Sequence, residues 1–187
     1  MSATTPKHVE FEKHTVVTVF GASGDLAKKK TFPALFGLFR EGYLDPTTKI
    51  IGYARSNLTC DDLKDRIRPH LKKPHGVEDD AKIEQFFKMI SYISGPYDTE
   101  EGYNKLRSAC ETFEKEKQIT QPHRLFYLAL PPSVFLSVAK QIKALVYAEN
   151  GITRVIVEKP FGHDLKSARQ LQLSLIHISE PTRHSLI

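Results

Sequence analysis

Two glycines set directly behind a β-branched run limit the fold of this chain more than any other feature. Residues Thr15 to Lys30 read TVVTVFGASGDLAKKK. Val16, Val17 and Val19 favour a strand that stops at Gly21, and a helical pattern begins at once. The spacing is G-x-x-G-x-x-A, that of a dinucleotide fingerprint. Gly21 permits the tight turn, Gly24 lets backbone approach a pyrophosphate, and Ala27 lets the helix pack on the strand. The first helical N–H groups then point at an anion, aided by the helix dipole. An ordinary strand–turn–helix corner also uses small residues; the flanking strand and helix favour the nucleotide reading. A P-loop is excluded, because no G-x-x-x-x-G-K-[ST] spacing occurs.

Strand and helix patterns alternate along the rest of the chain. A strand is expected over about Thr15–Gly21 and a helix over about Lys28–Gly42. Phe32, Leu35, Phe36, Phe39 and Tyr43 share one face of that helix and read as core, and Pro33 marks a kink or restart. A second strand, Lys49–Ala54, follows the Asp45-Pro46 turn. Polar helices follow at about Cys60–Leu71 and Asp79–Met89, split by the Pro74-His75-Gly76 loop. Thr59 with Asp62 forms a capping signal. A further helix is expected around Glu101–Lys117. His123–Leu130 reads as a buried strand ended by Pro131 and Pro132. The next helix carries Val134, Val138, Ile142 and Leu145 on one face. A last strand, RVIVEKP, runs to Pro160, and a helix starts near Asp164. Such alternation predicts an α/β fold with a parallel sheet covered on both faces.

Composition narrows the class. The 187 residues are 40% hydrophobic and 26% charged, which suits one soluble globular domain. The net charge of +5 suits acidic ligands such as nucleotides and sugar phosphates. The basic clusters Lys28–Lys30 and Lys72–Lys73 are short, so solvated lysines are expected rather than a nucleic-acid surface. Cys60 and Cys110 show no metal-ligand spacing and are read as reduced, structural thiols of a cytosolic protein, and no metal is expected. The segment MSATTPKHVEFEKH has no apolar core and no Arg-rich pattern, so no secretory or transit peptide is expected. No run is long enough to span a membrane. None of the histidines, His163 and His177 included, pairs with a nucleophile or metal-ligand pattern, so all are expected at the surface.

The strand ends carry the chemistry, because ligands of open α/β sheets bind outside the carboxyl ends of strands. An NAD site needs a carboxylate near the end of the second strand to accept from the ribose 2′-OH. Here that strand ends Gly52-Tyr53-Ala54-Arg55-Ser56, with an arginine and no acid. A guanidinium grips a 2′-phosphate through paired, charge-assisted hydrogen bonds, so Arg55 points to NADP. A surface arginine at a strand end is the competing reading. Leu128-Ala129-Leu130-Pro131-Pro132-Ser133 makes a rigid turn, either a strand terminator or a cofactor wall. Lys159, in Val157-Glu158-Lys159-Pro160, would project near the crevice and hold a substrate oxygen or phosphate. A solvated lysine is the alternative, and Glu158 is read only as orienting Lys159.

In this order, FGASGDLAKKK, GYAR, LALPPSVF and VIVEKPFGHDL resemble the N-terminal coenzyme domain of the glucose-6-phosphate dehydrogenase family, especially its fungal members. The resemblance runs from about Val9 to about Gln172. It implies a Rossmann-like, doubly wound parallel sheet, truncated before a β+α substrate domain. It implies that Gly21, Ala22, Ser23, Gly24, Asp25, Leu26, Ala27 and Lys28 bind NADP phosphates and that Arg55 contacts the 2′-phosphate. Lys159 matches a lysine touching cofactor and substrate. Phe135 stands near the cofactor where many relatives have tyrosine. The family reaction oxidises C1 of glucose 6-phosphate to 6-phosphoglucono-lactone and passes hydride to NADP.

The family's general base is a histidine. Its motif RIDHYLGKE does not occur in these residues, so no catalytic residue is assigned. The chain ends LSLIHISEPTRHSLI, which does not resemble the family. The expected organisation is a polar arm over 1–14, an NADP-binding domain over 15–172 and a foreign tail over 173–187. Such a fragment is expected to be cytoplasmic and to bind NADP without turnover. Family members are homo-oligomers, but their dimerisation domain is not within this span. Two other readings stand beside this one. The glucose–fructose oxidoreductase group shares a fingerprint and a later E-K-P, but usually lacks GASGDLAKK. A non-catalytic nucleotide-binding module is the second.

Overall fold

The structure is a computed structural model and describes residues 14–71 and 78–157. Five strands form one sheet: β1 (Val16–Phe20), β2 (Lys49–Ala54), β3 (Ile90–Ser94), β4 (His123–Leu128) and β5 (Ile152–Val157). Every pairing is parallel and the order is β3-β2-β1-β4-β5. Parallel neighbours need crossover connections. These are supplied by α1 (Phe32–Arg40), α2 (Cys60–Ile67), α3 (Glu78–Met89), α4 (Glu100–Glu116) and α5 (Pro132–Gln141). The chain builds outward from β1 through β3, then crosses back to lay β4 on the other flank of β1. That reversal opens a crevice between β1 and β4 at their carboxyl ends.

Alternate strand residues face opposite layers. Val17, Val19 and Ile50 pack with Phe32, Phe36, Leu63, Ile83 and Phe86 of α1–α3. Val16, Phe20, Ile51, Phe126 and Leu128 pack with Tyr103, Leu106 and Cys110 of α4 and Phe135 and Val138 of α5. All five residues of β1 are buried, as befits the central strand. At the amino end of β4, buried Arg124 donates from Nε and Nη2 to the two Glu114 carboxylate oxygens, each at 2.7 Å. Its Nη1 also donates to Val146 O at 2.9 Å. Both cysteines are free thiols, and burial pushes Cys110 up to about 12. Among the described residues, no helix is long and apolar enough to cross a membrane.

Local physics explains the departures from the sequence reading. The first helix begins at Asp25, earlier than expected, and a π-helical turn over Ala27–Thr31 runs into α1, so Pro33 sits in the first turn of the α-helical restart. Tyr43 is not core: it is 54% exposed. Gly42 takes φ +79° and ends the helix, with Tyr43 N donating to Leu38 O at 2.8 Å, which swings the ring off the buried face. Val134 and Leu145 are only partly buried. Val138 and Ile142 are buried as expected, and Phe135, Ala139 and Val146 join them; the π-helical turn at Ile142–Val146 shifts the register there and puts Val146 inward in place of Leu145. β3 has no counterpart in the sequence reading. The Thr59–Asp62 signal is a full capping box opening α2.

Candidate dinucleotide-binding site

The turn after β1 is tied to both neighbouring strands. Gly21 and Ala22 N–H groups both donate to Tyr53 O at the end of β2, at 2.9 and 3.2 Å. Ala129 N, just past β4, donates to Phe20 O at 3.0 Å. Gly21 takes φ +78°, and a Cβ there would lie 2.3 Å from Ala129 O. Glycine is therefore required twice over, by backbone conformation and by contact.

The turn then presents donors. Gly24 N donates to Gly21 O at 2.9 Å, and Lys28 N reaches back to Gly24 O at 3.1 Å. The N–H groups of Asp25, Leu26 and Ala27 precede that ladder and face an incoming anion. Gly24 is exposed, and a Cβ on it would meet only Gly21 O, at 3.2 Å, so the outer side of the turn is open. Ala27 is fully buried against the core. Asp25 is exposed and pairs with Lys28 at 2.7 Å and Lys29 at 2.9 Å. Hydrogen bonds from those two ammonium groups hold its pKa near 2.

The end of β2 adds a second wall. Arg55 is exposed, and its guanidinium carbon lies 5.5 Å from the centroid of the Tyr97 ring. Ser56 Oγ lies 3.0 Å from Ser23 Oγ, so the two βα turns meet. Tyr92 donates to Ser56 O at 2.6 Å, and burial pushes the Tyr92 hydroxyl up to about 12. Burial also raises Tyr97, against the opposing pull of the Arg55 cation and of the Arg55 and Gly21 backbone.

The structure thus gathers Gly21, Ala22, Ser23, Gly24, Asp25, Leu26, Ala27, Lys28 and Arg55 at one sheet end. Phe135 is 1% exposed and packs within the α4–α5 side of the core. Lys159 lies outside the described residues. Ser56, Tyr92 and Tyr97 are site neighbours that sequence reasoning missed. A hydroxyl following Arg55 was a usable signal for Ser56, whereas the two tyrosines have no local signature. Open donors at a helix start and an uncovered glycine suit the diphosphate of a dinucleotide, and an arginine stands beside them.

The family model for "Glucose-6-phosphate dehydrogenase, NAD binding domain" matches residues 18–182. The chain belongs to the glucose-6-phosphate dehydrogenase family. Its match to the family's NAD-binding domain agrees with the Rossmann-like sheet and with a nicotinamide dinucleotide as cofactor, and it continues past Gln172. Glucose-6-phosphate 1-dehydrogenase of Saccharomyces cerevisiae is 76% identical over 168 residues, covering 89% of this chain and 33% of that protein. The Kluyveromyces lactis protein of the same name is 63% identical over 166 residues, with the same coverage of 89% and 33%. A solved glucose-6-phosphate dehydrogenase in complex with its substrate glucose-6-phosphate superposes with TM-score 0.86 at 62% identity, over 90% of this chain and 35% of that one. The chain therefore spans about a third of the length of the curated glucose-6-phosphate dehydrogenases it matches.

Proposed function

We propose that this chain is the NADP-binding part of an enzyme that oxidises C1 of glucose 6-phosphate to the lactone. The observation that carries the cofactor choice is Arg55, set at the end of β2 with no carboxylate beside it in sequence, next to the phosphate turn. The turn from Gly21 to Lys28 holds the diphosphate through backbone donors, and Arg55 grips the 2′-phosphate. When bound, the nicotinamide accepts the hydride. Lys159 is assigned by resemblance to touch cofactor and substrate together. The coenzyme-binding unit is taken as residues 15–172, and the family match over 18–182 supports most of that span. Glucose 6-phosphate is proposed as the whole protein's substrate, which is the ligand named for the superposed structure. Two Arabidopsis thaliana relatives are designated cytoplasmic, which supports the same location here. The whole protein is proposed to form homo-oligomers, as the resemblance implies. The 187 residues lack RIDHYLGKE and are expected to bind without turnover.

Calorimetric titration of the chain with NADP and NAD, alongside Arg55→Ala, tests this reading. NADP should bind more tightly than NAD. The variant should lose about 10- to 100-fold in NADP affinity, the worth of a charged hydrogen bond, and keep its NAD affinity. Equal binding of the two nucleotides by the unaltered chain overturns it.

A further inference from the structure

Arg55 is exposed at the mouth of the site, and its guanidinium lies over the face of an aromatic ring. Its central carbon stands 5.5 Å from the Tyr97 ring centroid, within cation–π range. Tyr97 lies in the connection from β3 to α4 and is only 8% exposed. That connection is fastened on several sides. Gly95 N donates to Ala54 O at 2.9 Å, and Tyr53 Oη donates to Pro96 O at 2.6 Å. Tyr97 O accepts from Tyr103 Oη at 3.1 Å and from Ser137 Oγ at 3.4 Å. The ring is therefore a fixed platform, braced by β2, α4 and α5.

The chemistry of the platform matters. An arginine side chain has many rotamers, and ordering it weakens binding. A carboxylate partner would order it but would compete with a phosphate for the same N–H fork. An aromatic face orders the plane of the guanidinium and leaves its five N–H donors free at the edge. Among the described residues, no carboxylate forms a salt bridge with Arg55. We infer that Tyr97 is a positioning residue for cofactor selection, whose ring holds Arg55 ready for the 2′-phosphate. This rests on the NADP reading above. Tyr97 thereby sets how strongly the site separates two dinucleotides that differ by one phosphate.

The test compares NADP and NAD affinities by calorimetry for the chain, Tyr97→Phe, Tyr97→Met, Arg55→Ala and the Arg55→Ala/Tyr97→Met pair. Tyr97→Phe keeps the ring and should keep the NADP-to-NAD ratio within about twofold, while Tyr97→Met should lower it about threefold to fivefold. The loss should fall on NADP alone and vanish in the Arg55→Ala background. Equal weakening of both nucleotides, the same loss in Tyr97→Phe, or a full Tyr97→Met effect without Arg55 overturns the inference and leaves the NADP reading standing. If Arg55→Ala itself leaves the ratio intact, the NADP reading falls first. The unaltered chain offers a check independent of variants. Ring current from Tyr97 should shift the Arg55 δ-methylene protons upfield in NMR spectra, and random-coil positions would rule out the contact.

Discussion

The side-chain oxygens of Ser23 and Ser56 lie 3.0 Å apart and join the turn after β1 to the turn after β2. Each hydroxyl can rotate its proton outward, so the pair becomes two donors once a phosphate arrives. Ser56→Ala should weaken NADP binding by about 10-fold through loss of one charge-assisted bond. NAD affinity should stay unchanged. Ser56→Glu puts a carboxylate beside the 2′-phosphate position proposed at Arg55 and should reverse the preference. Calorimetry with both nucleotides reads each outcome.

Gly21→Ala meets two penalties at once. The backbone sits at φ +78°, and the new methyl group would stand 2.3 Å from Ala129 O, which belongs to backbone and cannot swing aside. The expected loss is at least about 3 kcal/mol of folding stability. A urea unfolding curve with the midpoint of the parent chain would contradict this.

The Arg124–Glu114 pair is buried, with both carboxylate oxygens engaged. Burial draws the Arg124 pKa down, but the Glu114 hydrogen bond and the negative charge of its acidic neighbours together more than offset it, so Arg124 stays charged. Glu114→Gln should therefore strand a buried cation at a cost of about 3–5 kcal/mol. Replacing both, Glu114→Leu with Arg124→Met, should recover most of that loss, and a double-mutant cycle in denaturant measures it.

Asp25 gives a pH signature. Its pKa is near 2 in the folded chain against an ordinary 3.8, so the folded state binds this proton less readily than the unfolded one. The associated stability is present above the ordinary value and is lost as pH falls through about 2. A carbon-detected NMR titration should find the midpoint near 2 in the parent and back near 3.8 when Lys28 and Lys29 are both alanine. An unshifted midpoint in the parent would show that the ion pairs do not form in solution.

Legibility in the sequence followed locality. β2 was readable to the residue, since Lys49–Ala54 is apolar and bounded by a turn. The Thr59 cap was readable because both partners lie within four residues. β3 was not, because α3 ends at Met89 and the strand starts at Ile90 with no Gly, Pro or polar cluster between them. The two π-helical turns leave no mark in apolar spacing, and the one at Ile142–Val146 puts Val146 inward in place of Leu145. At the site, the phosphate turn and Arg55 carry their chemistry in consecutive residues. Tyr97 reaches Arg55 only through the pairing of β2 with β3.

The contact between Gly21 and Ala129 has a consequence for how such a site changes over generations. The carboxyl ends of β1 and β4 can neither close further nor slide, because a glycine backbone already touches a carbonyl there. The floor therefore takes no added side chain at Gly21, and a change of cofactor has to be made elsewhere. The exposed residues 55–57 after β2 face no such obstacle. Switching between phosphorylated and unphosphorylated dinucleotides is a matter of exchanging a few side chains there, while the inherited turn beneath them stays the same.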